Sequence, residues 1–133
     1  MRALLALLFF AACTVPTFDY IDGEDARRVI ATHGYQILFV RDLPVVGITD
    51  CIDKKVWVQE GVWLEGVLMH EVIHVKQAES MGCGRFLAKY GTDPNALERP
   101  AYVNEYLAMG CDSYVTVKAA AARGLELTPE MCD

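Results

Sequence analysis

Histidine is scarce in this chain: three occur in 133 residues, and two of them, His70 and His74, lie four positions apart. No two cysteines have the Cys-x-x-Cys spacing of a thiolate zinc site. Basic residues are also few, 12 against 18 acidic ones, and the net charge of −6 disfavours nucleic acid as a partner. Long apolar runs are missing, since the N-terminal run Ala3 to Ala12 is only ten residues and a membrane span needs about 20.

That short run follows Met1-Arg2 and is typical of the apolar region of a secretory signal, which we assign to residues 1–12. The sequence Phe10-Ala11-Ala12-Cys13 resembles the lipobox of bacterial lipoproteins, with Phe10 where Leu is usual. We therefore expect Cys13 to be the lipidated N-terminus, residues 13–22 a tether and residues 23–133 the folded domain. Attachment to a membrane would then depend on the lipid anchor only. The alternative is ordinary cleavage and a periplasmic or secreted protein.

Four further cysteines, an even number, fit two disulfides in an exported domain: Cys51, Cys83, Cys111 and Cys132. Three connectivities are possible. If the predicted helices at 63–81 and 98–110 are antiparallel, Cys111 comes near the segment that leads into the first helix. That arrangement favours Cys51–Cys111 with Cys83–Cys132.

Apolar periodicity and turn signals predict an α+β domain, with a sheet of about three strands packed on one long helix and a helical C-terminal half. The predicted strands are 35–40, 45–49 and 55–59. The predicted helices are 24–33, 63–81, 85–90, one from Pro94 to about Gly110, and 113–123, where residues 114–117 also have strand character.

The centre of this pattern is His70-Glu71-Val72-Ile73-His74 on the long helix. Side chains four apart on a helix lie on one face, so both imidazoles can bind one zinc ion. Glu71 is rotated by about 100° from His70 and can reach a zinc-bound water as general base. A buried carboxylate without a partner or a role would be costly, which favours a functional Glu71.

A catalytic zinc site usually has a third protein ligand, for which we favour Glu98. Glu105 is the alternative; it lies seven residues further, on the same helical face but about 10 Å along the axis. Pro100 disfavours helix at Arg99, so Glu98 is expected at the start of its helix or just before it. Otherwise Glu98 and Arg99 form a solvated charge pair, and Glu105 or Tyr102 orients a histidine.

The string from His70 to Gln77, followed by Glu98-x-x-Ala101-Tyr102, resembles the gluzincin branch of zinc metallopeptidases, the thermolysin-like group, and small bacterial domains with such a core. The resemblance covers roughly residues 35–110. It implies zinc ligands His70, His74 and Glu98, with Glu71 as base. It also implies an edge strand before the motif helix, here 55–59, to which an extended substrate adds.

The expected function is therefore zinc-dependent hydrolysis of an amide in a peptide or protein substrate. The developing oxyanion needs a second stabiliser, for which Tyr102, Tyr106 and Tyr114 are candidates. Trp57 or Trp63 either lines the substrate pocket or belongs to the core. The alternative function is a non-catalytic, lipid-anchored binding or scaffold protein that keeps the metallopeptidase fold. A disulfide-bonded envelope protein without metal is a third possibility.

Overall fold

The computed structural model describes residues 21, 23–62 and 64–133. The expected signal segment 1–12, the lipidation site Cys13, most of the tether and Trp63 lie outside the described residues. Within those ranges, no helix is both long and apolar enough for a membrane span.

Three strands form one mixed sheet, β1 (Gln36–Val40), β2 (Gly47–Asp50) and β3 (Lys55–Gln59), in the order β1-β3-β2. β1 runs parallel to β3, and β2 pairs with β3 in the antiparallel direction. The predicted α+β class with a three-stranded sheet is confirmed. The expectation that residues 55–59 form an edge strand is wrong, because β3 is the central strand and β1 and β2 are the two edges.

Helices make up most of the remaining described chain. The helix Leu64–Met81 carries the His-Glu-x-x-His motif. The helix Pro94–Ala108 begins at Pro94 as predicted and continues through Pro100, so Glu98 lies inside a helix rather than at its start. Residues 114–117 are helical, because the side chain of Ser113 caps the first turn by accepting from the Thr116 amide at 3.2 Å. The helices are α1 (Gly23–Thr32), α2 (Leu64–Met81), α3 (Cys83–Thr92), α4 (Pro94–Ala108), α5 (Tyr114–Ala122) and a 3₁₀ turn (Pro129–Cys132).

α2 is the centre of the core and is buried along most of its length. The sheet covers one side of α2 through Val56 and Val58, which point towards the helix. Trp57 alternates with these valines and so occupies the opposite face of the sheet, half-buried. It therefore lies neither in the core cluster nor along the groove described below.

α2 and α4 run antiparallel and are tied together by a buried amide. Asn104 on α4 donates from Nδ2 to the carbonyl of Met69, next to His70, at 2.7 Å. The same side chain exchanges two hydrogen bonds with the backbone of Ile21, at 2.8 and 3.1 Å. The packed domain therefore includes Ile21, two residues before the expected boundary at Gly23.

The disulfides pair Cys51 with Cys83 and Cys111 with Cys132, with Cα atoms 5.6 and 6.1 Å apart. The favoured pairing of Cys51 with Cys111 is wrong. β3 carries the chain back along α2, which places the β2–β3 turn beside the C-terminal end of α2. The ion pair between Lys54 in that turn and Glu79, at 3.3 Å, marks the same proximity. The two disulfides are compatible with an exported protein.

Candidate metal centre

One turn of α2 holds both motif histidines, with ring centroids 5.0 Å apart. The side chain of Glu98 approaches them from α4: its Oε2 is 2.9 Å from Nε2 of His70, and its Oε1 is 3.5 Å from Nε2 of His74. All three side chains are buried. One ligand atom from each lies within 4.8 Å of the others, so the three can converge on a single metal ion.

The opposite ring nitrogens are held by two other side chains. Gln77 Nε2 donates to the carbonyl of Leu97, so its Oε1 is the atom that accepts from Nδ1 of His74, at 2.9 Å. Nδ1 of His70 faces a Glu105 carboxylate oxygen at 3.5 Å. With a metal ion bound, these partners would keep the imidazole protons on Nδ1, so that both Nε2 lone pairs would be directed at the position that Glu98 faces.

This donor set fits a divalent metal ion. Zinc takes imidazole nitrogens and carboxylate oxygens at about 2.0–2.2 Å, which puts neighbouring ligand atoms roughly 3–4 Å apart. The group contains three protein ligands, the number typical of catalytic sites that keep one position for water or substrate. Glu105, the alternative third ligand, lies on the far side of the His70 ring, where it faces Nδ1 at 3.5 Å instead.

The charges of the site also favour a bound cation. Burial by itself would lower the pKa of His70, but hydrogen bonds to Glu105 and Glu98 raise it well above its ordinary value. Burial would likewise raise the pKa of Glu98, but hydrogen bonds with His70 and His74 hold it far below the usual range. Without metal, a proton on His70 thus takes the place of a cation.

Tyr90, on α3, supports Glu98 from the other side. Its hydroxyl donates to Oε1 of Glu98. Burial and this hydrogen bond both raise the pKa of Tyr90, so the phenol stays protonated and keeps donating. Tyr90 therefore orients the carboxylate that would bind the metal.

Glu71 points towards the edge strand, where Thr49 donates from Oγ1 to its Oε2 at 2.7 Å. Its carboxylate is not one of the convergent ligands. Gly47 makes room for it: a Cβ at this position would lie 2.9 Å from Glu71 Oε1 and 2.7 Å from a methyl group of Val67. Contacts with strand β2 thus hold the Glu71 carboxylate in the groove that His70 and His74 also line.

A groove of about 1510 Å³ leads to these residues. Strand β2 and the residues before it line one side, and α5 lines the other. Its rim is apolar and exposed, with Val45, Val46, Leu87, Tyr114 and Val115 among the lining residues. The groove therefore suits an extended ligand with apolar side chains.

The three tyrosines expected near an oxyanion are separated by the fold. Tyr102 lines the groove and packs edge-on against His70, with ring centroids 4.4 Å apart. Tyr114 lies on the groove rim and is 76% exposed. Tyr106 is buried in a second apolar cluster away from the groove, so it is excluded from such a role.

Arg123 also reaches the site, with Nη2 3.8 Å from Oε1 of Glu98. Four side chains of the site carry no recognisable signal in the sequence: Thr49, Tyr90, Asn104 and Arg123. Gln77 is different, because a lone amide three residues after His74 on an apolar helix could be identified from the sequence as a hydrogen-bond partner for that histidine. Comparison with known proteins found no match among family models, curated proteins or solved structures. The gluzincin resemblance stays a prediction.

Proposed function

We propose that this protein is a zinc-dependent hydrolase that cleaves an amide bond in a peptide or protein. One observation carries the proposal: two imidazoles and a buried carboxylate converge within 4.8 Å, and Glu71 lies on the helical turn between the two histidines. A purely structural metal site has no need for a further residue at that position, a carboxylate that is not a ligand.

His70, His74 and Glu98 would hold the zinc ion, which when bound would act as a Lewis acid towards the attacking water and the substrate carbonyl. Glu71 would accept a proton from the attacking water while the water oxygen bonds to the carbonyl carbon. As the carbon–nitrogen bond breaks, Glu71 would deliver that proton to the leaving nitrogen. Thr49 orients Glu71 for both transfers.

The substrate would lie along strand β2. β2 is the edge of the sheet beside the metal ligands, so its outer side can pair with an extended chain. The apolar groove rim would then receive substrate side chains on either side of the scissile bond.

Metal analysis tests the site. Purified protein should carry stoichiometric zinc by mass spectrometry, and His74→Ala should lose it. His33→Ala is the matched control, since His33 is the remaining histidine and does not belong to the convergent group. Retained zinc in His74→Ala would contradict the assigned ligands.

Turnover tests the reaction. With a library of internally quenched peptides, the wild-type protein should cleave in a zinc-dependent way, and Glu71→Gln should keep zinc but lose cleavage. Undiminished cleavage by Glu71→Gln would reject Glu71 as base. Zinc without any cleavage would favour the alternative of a non-catalytic binding protein.

We also propose that the protein is exported and anchored through a lipid on Cys13. The support is the sequence before Cys13 together with the two disulfides. Intact-mass measurement of the cell-envelope fraction should show an acylated Cys13 N-terminus, absent in Cys13→Ser.

A further inference from the structure

Arg123 follows the last turn of α5 and is fixed there by α4. Its backbone carbonyl accepts a hydrogen bond from Nδ2 of Asn95 at 2.9 Å. Its guanidinium lines the groove, where Nη2 lies 3.8 Å from Oε1 of Glu98. The same guanidinium interacts with the Tyr102 phenol.

Among the described residues that line the groove, Arg123 is the one lysine or arginine. Four carboxylates, Glu71, Glu98, Glu105 and Asp112, share the groove with it. A guanidinium keeps its charge at any physiological pH and presents several N–H donors in one plane. The groove thus contains a permanent cation that can face an anionic group of the substrate.

The distance between Arg123 and Glu98 indicates which substrate group faces the guanidinium. Arg123 Nη2 is 3.8 Å from Oε1 of Glu98, a side chain that would help to hold the metal ion, so the guanidinium lies next to the convergent ligand group. A substrate carbonyl that approaches His70, His74 and Glu98 would therefore come near the guanidinium, whose N–H groups could donate to its oxygen at about 2.7–3.1 Å. Charge on that oxygen appears only during the reaction, so donors placed there stabilise the transition state more than the substrate.

We propose that Arg123 is a catalytic residue, donating hydrogen bonds to the carbonyl oxygen as it becomes negative; this rests on the proposed hydrolysis. When the water oxygen bonds to the carbonyl carbon, the C=O π pair moves onto that oxygen, opposite the guanidinium. The pair returns when the carbon–nitrogen bond breaks and the amine leaves with the proton from Glu71. Tyr102 positions the guanidinium.

The test compares Arg123→Met and Arg123→Lys with Arg99→Met in the zinc-loaded protein. Arg99→Met is the matched control, because it removes the same charge from an exposed residue that does not line the groove. We expect Arg123→Met to lower kcat about 100- to 1,000-fold with little change in KM, and Arg123→Lys to restore part of the loss. Zinc content should stay the same in all variants.

A second readout does not need turnover. A peptide phosphonate carries the negative tetrahedral oxygens of the reaction, and calorimetry measures its binding to the zinc-loaded protein. Arg123→Met should weaken phosphonate binding by about the same factor as kcat, while Arg99→Met leaves it unchanged. If Arg123→Met does not fold, Arg123→Gln keeps N–H donors without the charge and takes its place.

Three results would overturn the role of Arg123. Loss of zinc from Arg123→Met would make it a partner of Glu98 only. A rise in KM for peptides with a free C-terminus, absent for amidated peptides, would make it an anchor for a terminal carboxylate. Equal phosphonate affinity in wild type and Arg123→Met would reject the role of Arg123 even if no peptide is cleaved. If no peptide is cleaved but phosphonate binding depends on Arg123, only the proposed hydrolysis would be rejected.

Discussion

Gln77 is fully buried, and its amide joins the two helices that hold the metal ligands. It accepts from His74 on its own helix and donates to the Leu97 carbonyl, directly before Glu98 on α4. One side chain therefore sets both the tautomer of a ligand and the distance between the ligand-bearing helices.

Replacing Gln77 by Leu should lower zinc affinity about 10- to 100-fold, because His74 loses the acceptor that orients its ring. Competition with a chelating dye measures the affinity. Gln36→Leu, at an exposed position on β1, should leave it unchanged. An unchanged zinc Kd in Gln77→Leu would show that the amide has no part in metal binding.

Thr49→Val removes the hydrogen bond to Glu71 and keeps the side-chain volume. Hydrogen bonds to charged groups contribute about 1.5–3 kcal/mol, so kcat should fall roughly 10- to 100-fold while zinc stays bound. Thr92→Val is the control, since Thr92 donates only within its own helix. Equal turnover of wild type and Thr49→Val would mean that Glu71 is positioned by other contacts.

At this scale the sequence predicts what a single helix determines. The spacing of His70 and His74 fixes their common face, whatever the rest of the chain does. The choice of Glu98 over Glu105 depends on how α4 packs against α2, and only the fold shows it. Thr49 and Arg123 reach the site from β2 and α5, and no spacing rule connects those elements with the motif.

Among the secondary-structure elements, β2 affects the site because it packs closely against α2, the helix that carries both histidines. Gly47 faces Val67 and Glu71, and the space beside it is already filled. A side chain on Gly47 must therefore push the strand away from the helix or turn the Glu71 carboxylate.

Gly47→Ala should cost about 1–3 kcal/mol of unfolding free energy and reduce turnover, since its methyl group overlaps atoms that cannot easily move. Gly84→Ala is the matched control, because a Cβ there meets nothing within 4 Å and α3 gains helix propensity. Urea denaturation and peptide cleavage measure both effects. A Gly47→Ala protein as stable and active as Gly84→Ala would contradict the close packing of β2 on α2.

Most elements were predictable because their boundaries carry local signals, such as Pro94 at the start of α4 and Gly82 after α2. The pairing of the strands was not predictable. The gluzincin resemblance implies that strand 55–59 is an edge strand, but β1 pairs with it in parallel and makes it the central strand. Local sequence does not encode that long-range choice.

Over the whole molecule, the two disulfides stabilise different parts of the domain. Cys51–Cys83 joins the β2–β3 turn to α3, and Cys111–Cys132 joins the end of α4 to the C-terminal turn. Their loops span 32 and 21 residues and do not overlap.

Loop entropy predicts that replacing both cysteines of either pair by Ser costs about 3–4 kcal/mol of unfolding free energy, slightly more for the longer Cys51–Cys83 loop. Urea denaturation of the two double variants measures this. Non-reducing peptide mapping of the wild-type protein checks the pairing itself. A peptide that joins Cys51 to Cys111 would contradict the fold described above.

Each disulfide joins two cysteines that follow one another in the sequence, and this has a consequence for the order in which the disulfides form. A chain is synthesised from its N-terminus, so Cys83 becomes available to Cys51 before Cys111 exists. If Cys51 and Cys83 have joined by then, and Cys13 is acylated as proposed, Cys111 would have Cys132 as its remaining partner. An oxidase acting on the growing chain would therefore find one available cysteine pair at a time, and no isomerase would be needed to rearrange the disulfides.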